Sequence, residues 1–168
     1  MDQQNNIELL KEKNWALMDI EYIQTSKSHQ CVRKLYILVA NGYDNLELDL
    51  YPCVRYKDLA TKYQQSFRFC KRKVHKLTYN PRQYSPPCST ALSKINEFIV
   101  YNNIDLILYK GGTIEKDLCG ELCIPSMNIE CFSELEKAQS HDSRIEVNYY
   151  YDQLVDYLFL NNIFIIHG

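Results

Sequence analysis

Apolar and β-branched residues are concentrated in three stretches of the first fifty residues, and they predict three consecutive β-strands. The stretches are residues 15–23, 31–40 and 46–50, and in the last one leucines alternate with polar side chains. Asn41 and Gly42 form a strong turn signal between the second and third strands. Because the links are short, we expect an antiparallel arrangement of these strands.

The second half of the chain alternates helical and strand patterns. Residues 91–99 and 147–158 carry apolar side chains at helical spacing, residues 113–122 form a helix after a Gly-Gly turn, and residues 104–109 and 126–129 are short strands. Strands reached through a helix run parallel to the first strand and beside it. The sequence therefore predicts an α/β fold with a five-stranded mixed sheet, three antiparallel strands and then two parallel ones, flanked by helices.

The pattern indicates a single domain over residues 15–158. A polar extension or helix, residues 1–14, precedes it, and an apolar tail, residues 159–168, follows as a candidate surface for a protein partner. The chain has 168 residues, of which 46% are hydrophobic and 24% charged, which is ordinary for a globular domain and excludes a disordered one.

The sequence contains no apolar run of the roughly 20 residues that span a bilayer, and its start has no apolar signal core. The seven cysteines have no framework spacing, which is typical of free thiols in a reducing compartment. We therefore expect an intracellular protein, cytoplasmic or nuclear, with no membrane partner.

Residues 55–82 form a basic segment. It contains nine lysine and arginine side chains and a single acid, Asp58, so its net charge is +8, whereas the whole chain has a net charge of -2. Tyrosine and phenylalanine are interleaved with the charges, and this combination favours RNA or single-stranded nucleic acid as a partner. The alternative is a solvated helix whose aromatic side chains face the core. The candidate nucleic-acid ligands are Arg68, Lys71, Arg72, Lys73 and Lys76, with Lys110 after the fourth strand.

Two acids on the first strand are the first chemical signal. Asp19 and Glu21 are two residues apart, so both carboxylates project from the same face of a strand that is otherwise apolar. Such a pair needs a compensating positive charge. A divalent metal ion would supply it, and so would an ion pair with Arg33 or Lys34 on the neighbouring strand.

Three motifs together resemble those of the DEDDh group of 3'-5' exonucleases in the RNase H-like superfamily. They are Asp19-x-Glu21, a Gly-rich turn leading into a helix that carries Asp117, and His141-x4-Glu146 at the start of the last helix. The family has Asn and an aromatic residue where this chain has Gly112 and Lys116, and Asp where it has Glu146. The resemblance implies an RNase H-like fold and a metal-dependent exonuclease acting on RNA or single-stranded nucleic acid.

The resemblance also implies a role for each motif residue. Asp19, Glu21, Asp117 and Glu146 would hold two Mg²⁺ or Mn²⁺ ions, which promote phosphodiester hydrolysis. His141 would be the general base. Each position also has a structural explanation: Asp117 as an exposed helix residue, His141 as a solvated turn residue, and Ser143-x-x-Glu146 as a capping box.

Zinc is the second possible cofactor. Cys119-x3-Cys123 and Cys70-x4-His75 lack paired zinc-module spacing. The chain is also similar to the Maelstrom domain, an RNase H-like variant, and that similarity implies a zinc site of Glu21, Cys131 and His141 with Asp142 at the position of the fourth ligand. The corresponding alternative function is a catalytically silent domain that binds nucleic acid or acts as an adaptor.

Overall fold

A five-stranded mixed sheet forms the centre of the protein, which we describe from a computed structural model over residues 3–27, 29–50, 56–74, 88–132 and 134–163. The strand order is β3-β2-β1-β4-β5; β1, β2 and β3 are antiparallel, whereas β4 runs parallel to β1 and β5 parallel to β4. The predicted sheet is thereby confirmed. The strands are β1 (Trp15–Ser26), β2 (His29–Val39), β3 (Asn45–Asp49), β4 (Leu106–Tyr109) and β5 (Ser126–Asn128).

Five helices accompany the sheet in the described part of the chain: α1 (Gln3–Glu12), α2 (Thr61–Phe69), α3 (Cys88–Tyr101), α4 (Ile114–Glu121) and α5 (Ser143–Leu160). Helix α2 lies in the basic segment, where a solvated helix is the alternative to a nucleic-acid surface, and it continues into a π-helical turn, Cys70–Val74. No helix among the described residues is long and apolar enough to cross a membrane. Residues 164–168 of the apolar tail lie outside the described residues.

The sheet is covered on both faces. Trp15 and Leu17 of β1 belong to a core that includes buried residues of α1 and α5, whereas Ala16 and Met18 belong to a second core with α3 and α4. Alternate side chains of one strand thus enter two different cores. Helix α1 contributes Ile7 and Leu10 to the first core and is part of the domain.

Strand β1 extends well beyond its parallel neighbour. It pairs with β4 only from Trp15 to Leu17, whereas its antiparallel ladder with β2 continues to Ser26. A register shift interrupts that ladder between Glu21 and Tyr22. Asp19 and Glu21 therefore lie where the sheet narrows, and side chains from the flanking helices can approach the β1 edge there.

Candidate metal centre

Three carboxyl groups converge at this narrow part of the sheet. Asp19, Glu21 and Glu146 each offer a ligand oxygen, and the three oxygens lie within 4.8 Å of one another. The first two project from the same face of β1, and Glu146 comes from the first turn of α5, which packs against that face. The structure thus brings together three of the four predicted metal ligands.

The N-terminus of α5 positions Glu146. Asp142 is its N-cap, and its side chain accepts hydrogen bonds from the backbone N–H groups of Arg144 (3.0 Å) and Ile145 (3.2 Å). Lys34 of β2 reaches the same cap, with Nζ 3.3 Å from Asp142 Oδ2. The capping-box explanation of Glu146 is therefore wrong: Asp142 caps the helix, and the Glu146 carboxylate faces the other two acids.

Burial and mutual repulsion hold the three acids in an unfavourable electrostatic state. Burial raises the pKa of Asp19 well above its usual value, and the charges of Glu146 and Glu21 raise it further. Burial, with repulsion from Glu146, raises the pKa of Glu21 to about 8. The pKa of Glu146 is also raised, chiefly by burial. The cluster therefore favours a bound cation or proton.

The neighbouring cations on β2 have other partners. Arg33 pairs with Asp49. Lys34 pairs with Asp142 and, at 3.1 Å, with Glu47. These contacts do not support the expectation that Arg33 or Lys34 neutralises the acid pair on β1.

The position predicted for Asp117 needs correction. Asp117 is exposed on α4 and does not join the cluster, whereas Glu115 of the same helix is only 4% exposed. Residues two apart on a helix point about 200° apart, so the two acids cannot share a face. Glu115 Oε1 accepts a hydrogen bond from the backbone N–H of Ile20 at 3.3 Å.

Glu115 is a buried acid near the cluster, and the motif resemblance does not include it. Burial raises its pKa to about 7, although the hydrogen bond from Ile20 opposes the shift, and its charge acts on both Asp19 and Glu21. Its Oε2 is buried without a hydrogen-bond partner among the described residues.

Gly112 makes room for Glu115. Its φ is +62°, and a Cβ added there would lie 2.7 Å from Glu115 Oε2. The backbone conformation favours glycine here, and a side chain at this position would require the Glu115 carboxylate to shift.

His141 and Lys110 both lie near Glu146. His141 Nδ1 is 3.8 Å from Glu146 Oε1, and its side chain is 45% exposed. Lys110, directly after β4, lines a pocket together with Asp19 and Glu146. The predicted base and a predicted phosphate ligand thus flank the cluster.

The basic segment approaches the cluster at the end of α2. Burial raises the pKa of the Cys70 thiol, and the charge of Glu21 adds to the shift, so the Cys70 side chain is within electrostatic reach of this acid. The basic side chains that precede and follow Cys70 are exposed, namely Arg68, Lys71, Arg72 and Lys73. Lys76 lies outside the described residues, as does His75 of the Cys70-x4-His75 pair.

The structure does not assemble the zinc ligands implied by the Maelstrom resemblance. Among the described residues, the one group of three or more potential ligands is the acidic cluster. Cys131 instead accepts a hydrogen bond from Asn6 Nδ2 at 3.3 Å, and Cys119 is buried in the core on the other face of the sheet.

The residues present fit a hard divalent cation. Their donor atoms are carboxylate oxygens, and Asp19 Oδ2 is buried with no hydrogen-bond partner in the described part of the chain. An orphaned buried oxygen is costly, and Mg²⁺ and Mn²⁺ prefer oxygen ligands. A cation at the cluster would satisfy this atom.

The fold is similar to that of S. pombe Pop2p, a structure solved with Mg²⁺ and Mn²⁺ bound. The TM-score is 0.50 at 8% sequence identity, and the match covers 92% of this chain and 88% of the Pop2p chain. At this identity the similarity concerns the fold alone, and the expected RNase H-like α/β fold is confirmed. No family model matches the sequence, and no curated protein matches it.

Proposed function

We propose that the protein is a metal-dependent 3'-5' exonuclease that hydrolyses RNA or single-stranded nucleic acid. The observation that carries this proposal is the convergence of the Asp19, Glu21 and Glu146 carboxyl groups. One of their oxygens, Asp19 Oδ2, is buried and has no hydrogen-bond partner among the described residues. The RNase H-like fold, shared with a protein whose structure contains Mg²⁺ and Mn²⁺, supports it.

Asp19, Glu21 and Glu146 would hold the Mg²⁺ or Mn²⁺. When bound, the metal would activate a water and stabilise the charge that develops on the phosphodiester. His141 is placed at the solvent side of Glu146, within 3.8 Å, where an imidazole can accept the proton of the attacking water. In this proposal, Glu146 also orients His141.

Glu115 takes the place that the resemblance had given to Asp117. It holds the β1 backbone through Ile20 and adds negative charge near Asp19. We infer that its proximity makes the cluster a stronger cation site.

The exposed cations around Cys70 would guide the nucleic-acid strand toward the cluster. Arg68, Lys71, Arg72 and Lys73 are exposed at the end of α2, on either side of Cys70, whose thiol is within electrostatic reach of Glu21. Phosphate contacts of this kind supply affinity without sequence preference. Chemistry and affinity therefore reside in different residues.

The direct test is degradation of 5'-labelled single-stranded RNA and of a DNA of the same sequence, with Mg²⁺, Mn²⁺ or EDTA. Stepwise shortening from the 3' end with either metal, and none with EDTA, is the expected result. Cleavage that is insensitive to EDTA would require a different site.

One observation favours a second candidate, a catalytically silent nucleic-acid-binding domain on the same fold. Asp117 lies outside the cluster, so the described acids do not reproduce the four-carboxylate motif. Under this alternative the protein would bind single-stranded RNA through the basic segment and leave it intact with every divalent metal.

A further inference from the structure

The cluster opens into a small pocket with a cationic wall. The pocket has a volume of about 140 Å³, and its lining includes Asp19, Glu146, Lys110, Lys137 and Tyr150. This is below the roughly 300 to 1,000 Å³ of pockets that enclose a whole drug-sized ligand. It suits a small charged group such as a phosphate, with the rest of the ligand outside.

The loop that carries Lys137 is fastened to α5 on both sides of this residue. Glu136 N–H donates to Gln153 Oε1 at 2.6 Å, and Gln153 Nε2 donates back to the Glu136 carbonyl at 3.1 Å. Ala138, which is buried, donates its N–H to the Tyr150 hydroxyl at 2.8 Å. Three hydrogen bonds thus fix the backbone that presents Lys137, and a side chain on a fixed backbone binds more precisely than one on a free loop.

Lys110 approaches the same pocket from the end of β4. Its ammonium lies 5.4 Å from the centre of the Tyr150 ring and 4.0 Å from Glu130 Oε1. Lys137, by contrast, has no ion pair among the described residues. Its side chain is exposed beside the pocket and is available for an anionic ligand.

We propose that Lys137, together with Lys110, binds the phosphate of the terminal nucleotide and that Lys137 thereby sets the affinity of the site for a strand end. This rests on the proposed nuclease function, which supplies the phosphate ligand. The two ammonium groups neutralise the non-bridging oxygens, which the carboxylates would otherwise repel. Charge-assisted hydrogen bonds of this kind are the strong ones.

The test is binding of adenosine 5'-monophosphate in MgCl₂, measured by calorimetry on wild type and on Lys137→Gln, Lys137→Arg and Lys94→Gln. Lys94 is an exposed lysine on α3, which packs on the other face of the sheet, and it is the matched control. We expect Lys137→Gln to weaken binding about tenfold, as for removal of one charge-assisted hydrogen bond. Lys137→Arg and Lys94→Gln should bind like wild type, and adenosine without phosphate should not distinguish the variants.

The outcomes separate this inference from the nuclease proposal. If binding of the monophosphate depends on Lys137 but the protein does not cleave RNA with any divalent metal, the phosphate site is supported and the nuclease proposal is overturned. If the wild-type protein cleaves RNA but binds the monophosphate no better than Lys137→Gln does, only the phosphate site is overturned. The same holds if the wild-type protein does not bind the monophosphate. In an active protein, Lys137→Gln should lower kcat/KM for labelled RNA about tenfold, and Lys94→Gln should leave it unchanged.

Discussion

Lys34 Nζ lies 3.3 Å from Asp142 Oδ2, and this contact joins the second strand to the N-cap of the helix that carries Glu146. Only 15% of the Lys34 side chain is exposed. Burial lowers the pKa of Lys34, but contacts with Glu47 and Asp142 outweigh it and raise the value. The charged state of Lys34 is therefore the stable one, and it fixes the start of α5 against the sheet.

Lys34→Met should destabilise the protein by about 1 to 2 kcal/mol, because it removes two hydrogen bonds to charged groups. It should also weaken metal binding by loosening the position of Glu146. Denaturant unfolding and calorimetric titration with MnCl₂ measure the two effects. Arg144→Met is the control: Arg144 is 63% exposed, 3.9 Å from Glu47, and its removal should cost less than about 0.5 kcal/mol. Equal effects of the two substitutions would contradict the anchoring role of Lys34.

Asp19→Asn should abolish cleavage and metal binding, whereas Asp117→Asn should affect neither. Asp19→Asn removes a carboxylate of the cluster and should abolish both cleavage and the Mn²⁺-induced rise in Tm. Asp117→Asn changes an exposed side chain on α4 and should leave both unchanged. An Asp117→Asn protein that is folded but inactive would return Asp117 to the site and overturn the replacement of Asp117 by Glu115.

The stability of the metal-free protein should fall as pH rises from about 4.5 to about 8. Glu21 has a pKa of about 8 in the folded state against 4.5 ordinarily. Below pH 4.5 it is protonated in both states; above this, the unfolded chain releases the proton while the folded chain keeps it. Its stabilising contribution is therefore lost through this window. Glu115, with a pKa of about 7, acts in the same direction.

Thermal unfolding in EDTA across this pH range measures the effect, and Glu21→Gln should flatten the profile. Added MgCl₂ should stabilise wild type more at pH 8 than at pH 5, since the ligands must be deprotonated to bind it. A metal-induced shift that is the same at both pH values would argue against the buried acids as ligands.

Replacing Lys71, Arg72 and Lys73 by Ala should weaken binding of single-stranded RNA similarly for all sequences. The log-log salt dependence should become shallower by about 0.7 for each phosphate that the variant no longer neutralises. The control variant removes three exposed lysines from other helices, Lys11, Lys94 and Lys116. If both triple variants bind RNA equally weakly, the effect is one of net charge and the basic segment is not the binding surface.

Gly112→Ala and Gly120→Ala should change stability in opposite directions. At Gly112 the positive φ costs an alanine about 1 to 2 kcal/mol, and its Cβ would also displace Glu115 Oε2. At Gly120, within α4, nothing lies within 4 Å of an added Cβ, so alanine should stabilise by about 0.5 to 1 kcal/mol. Urea unfolding of the two variants compares them directly.

The sheet could be predicted because each strand is recorded in local residue patterns. The apolar run before Asp19 indicates a strand buried on both faces. The turn at Asn41 and Gly42 indicates that the second and third strands are antiparallel. The basic segment offers a helix only as an alternative and without bounds, because its sequence is polar. In α2 only Phe67 is buried, and the stability of the helix depends on tertiary contacts such as the packing of Tyr56 on Phe67, with ring centres 5.6 Å apart.

The exchange of Asp117 for Glu115 has a different cause. The motif resemblance rests on the spacing of residues along the sequence, whereas the side of the helix on which an acid lies determines whether it faces the sheet. Glu115 lies one turn before Cys119, which is buried in the core with α3, and this apolar face was visible in the sequence. Reading α4 by its buried positions would have placed Glu115 inward and Asp117 outward.

The hydrogen bonds that hold the loop around Lys137 could not be predicted, because Gln153 and Tyr150 contact it from 17 and 12 residues further along the chain.

The β1–β4 pairing ends at Leu17, so within the described residues the next part of β1 has no strand neighbour on that side. An uncovered strand edge is a template for pairing with another chain. Glu115 occupies part of that edge by accepting the Ile20 amide. The buried acid beside the metal cluster therefore also covers a strand edge. Loss of Glu115 should expose the Ile20 amide at this edge and promote self-association of the protein.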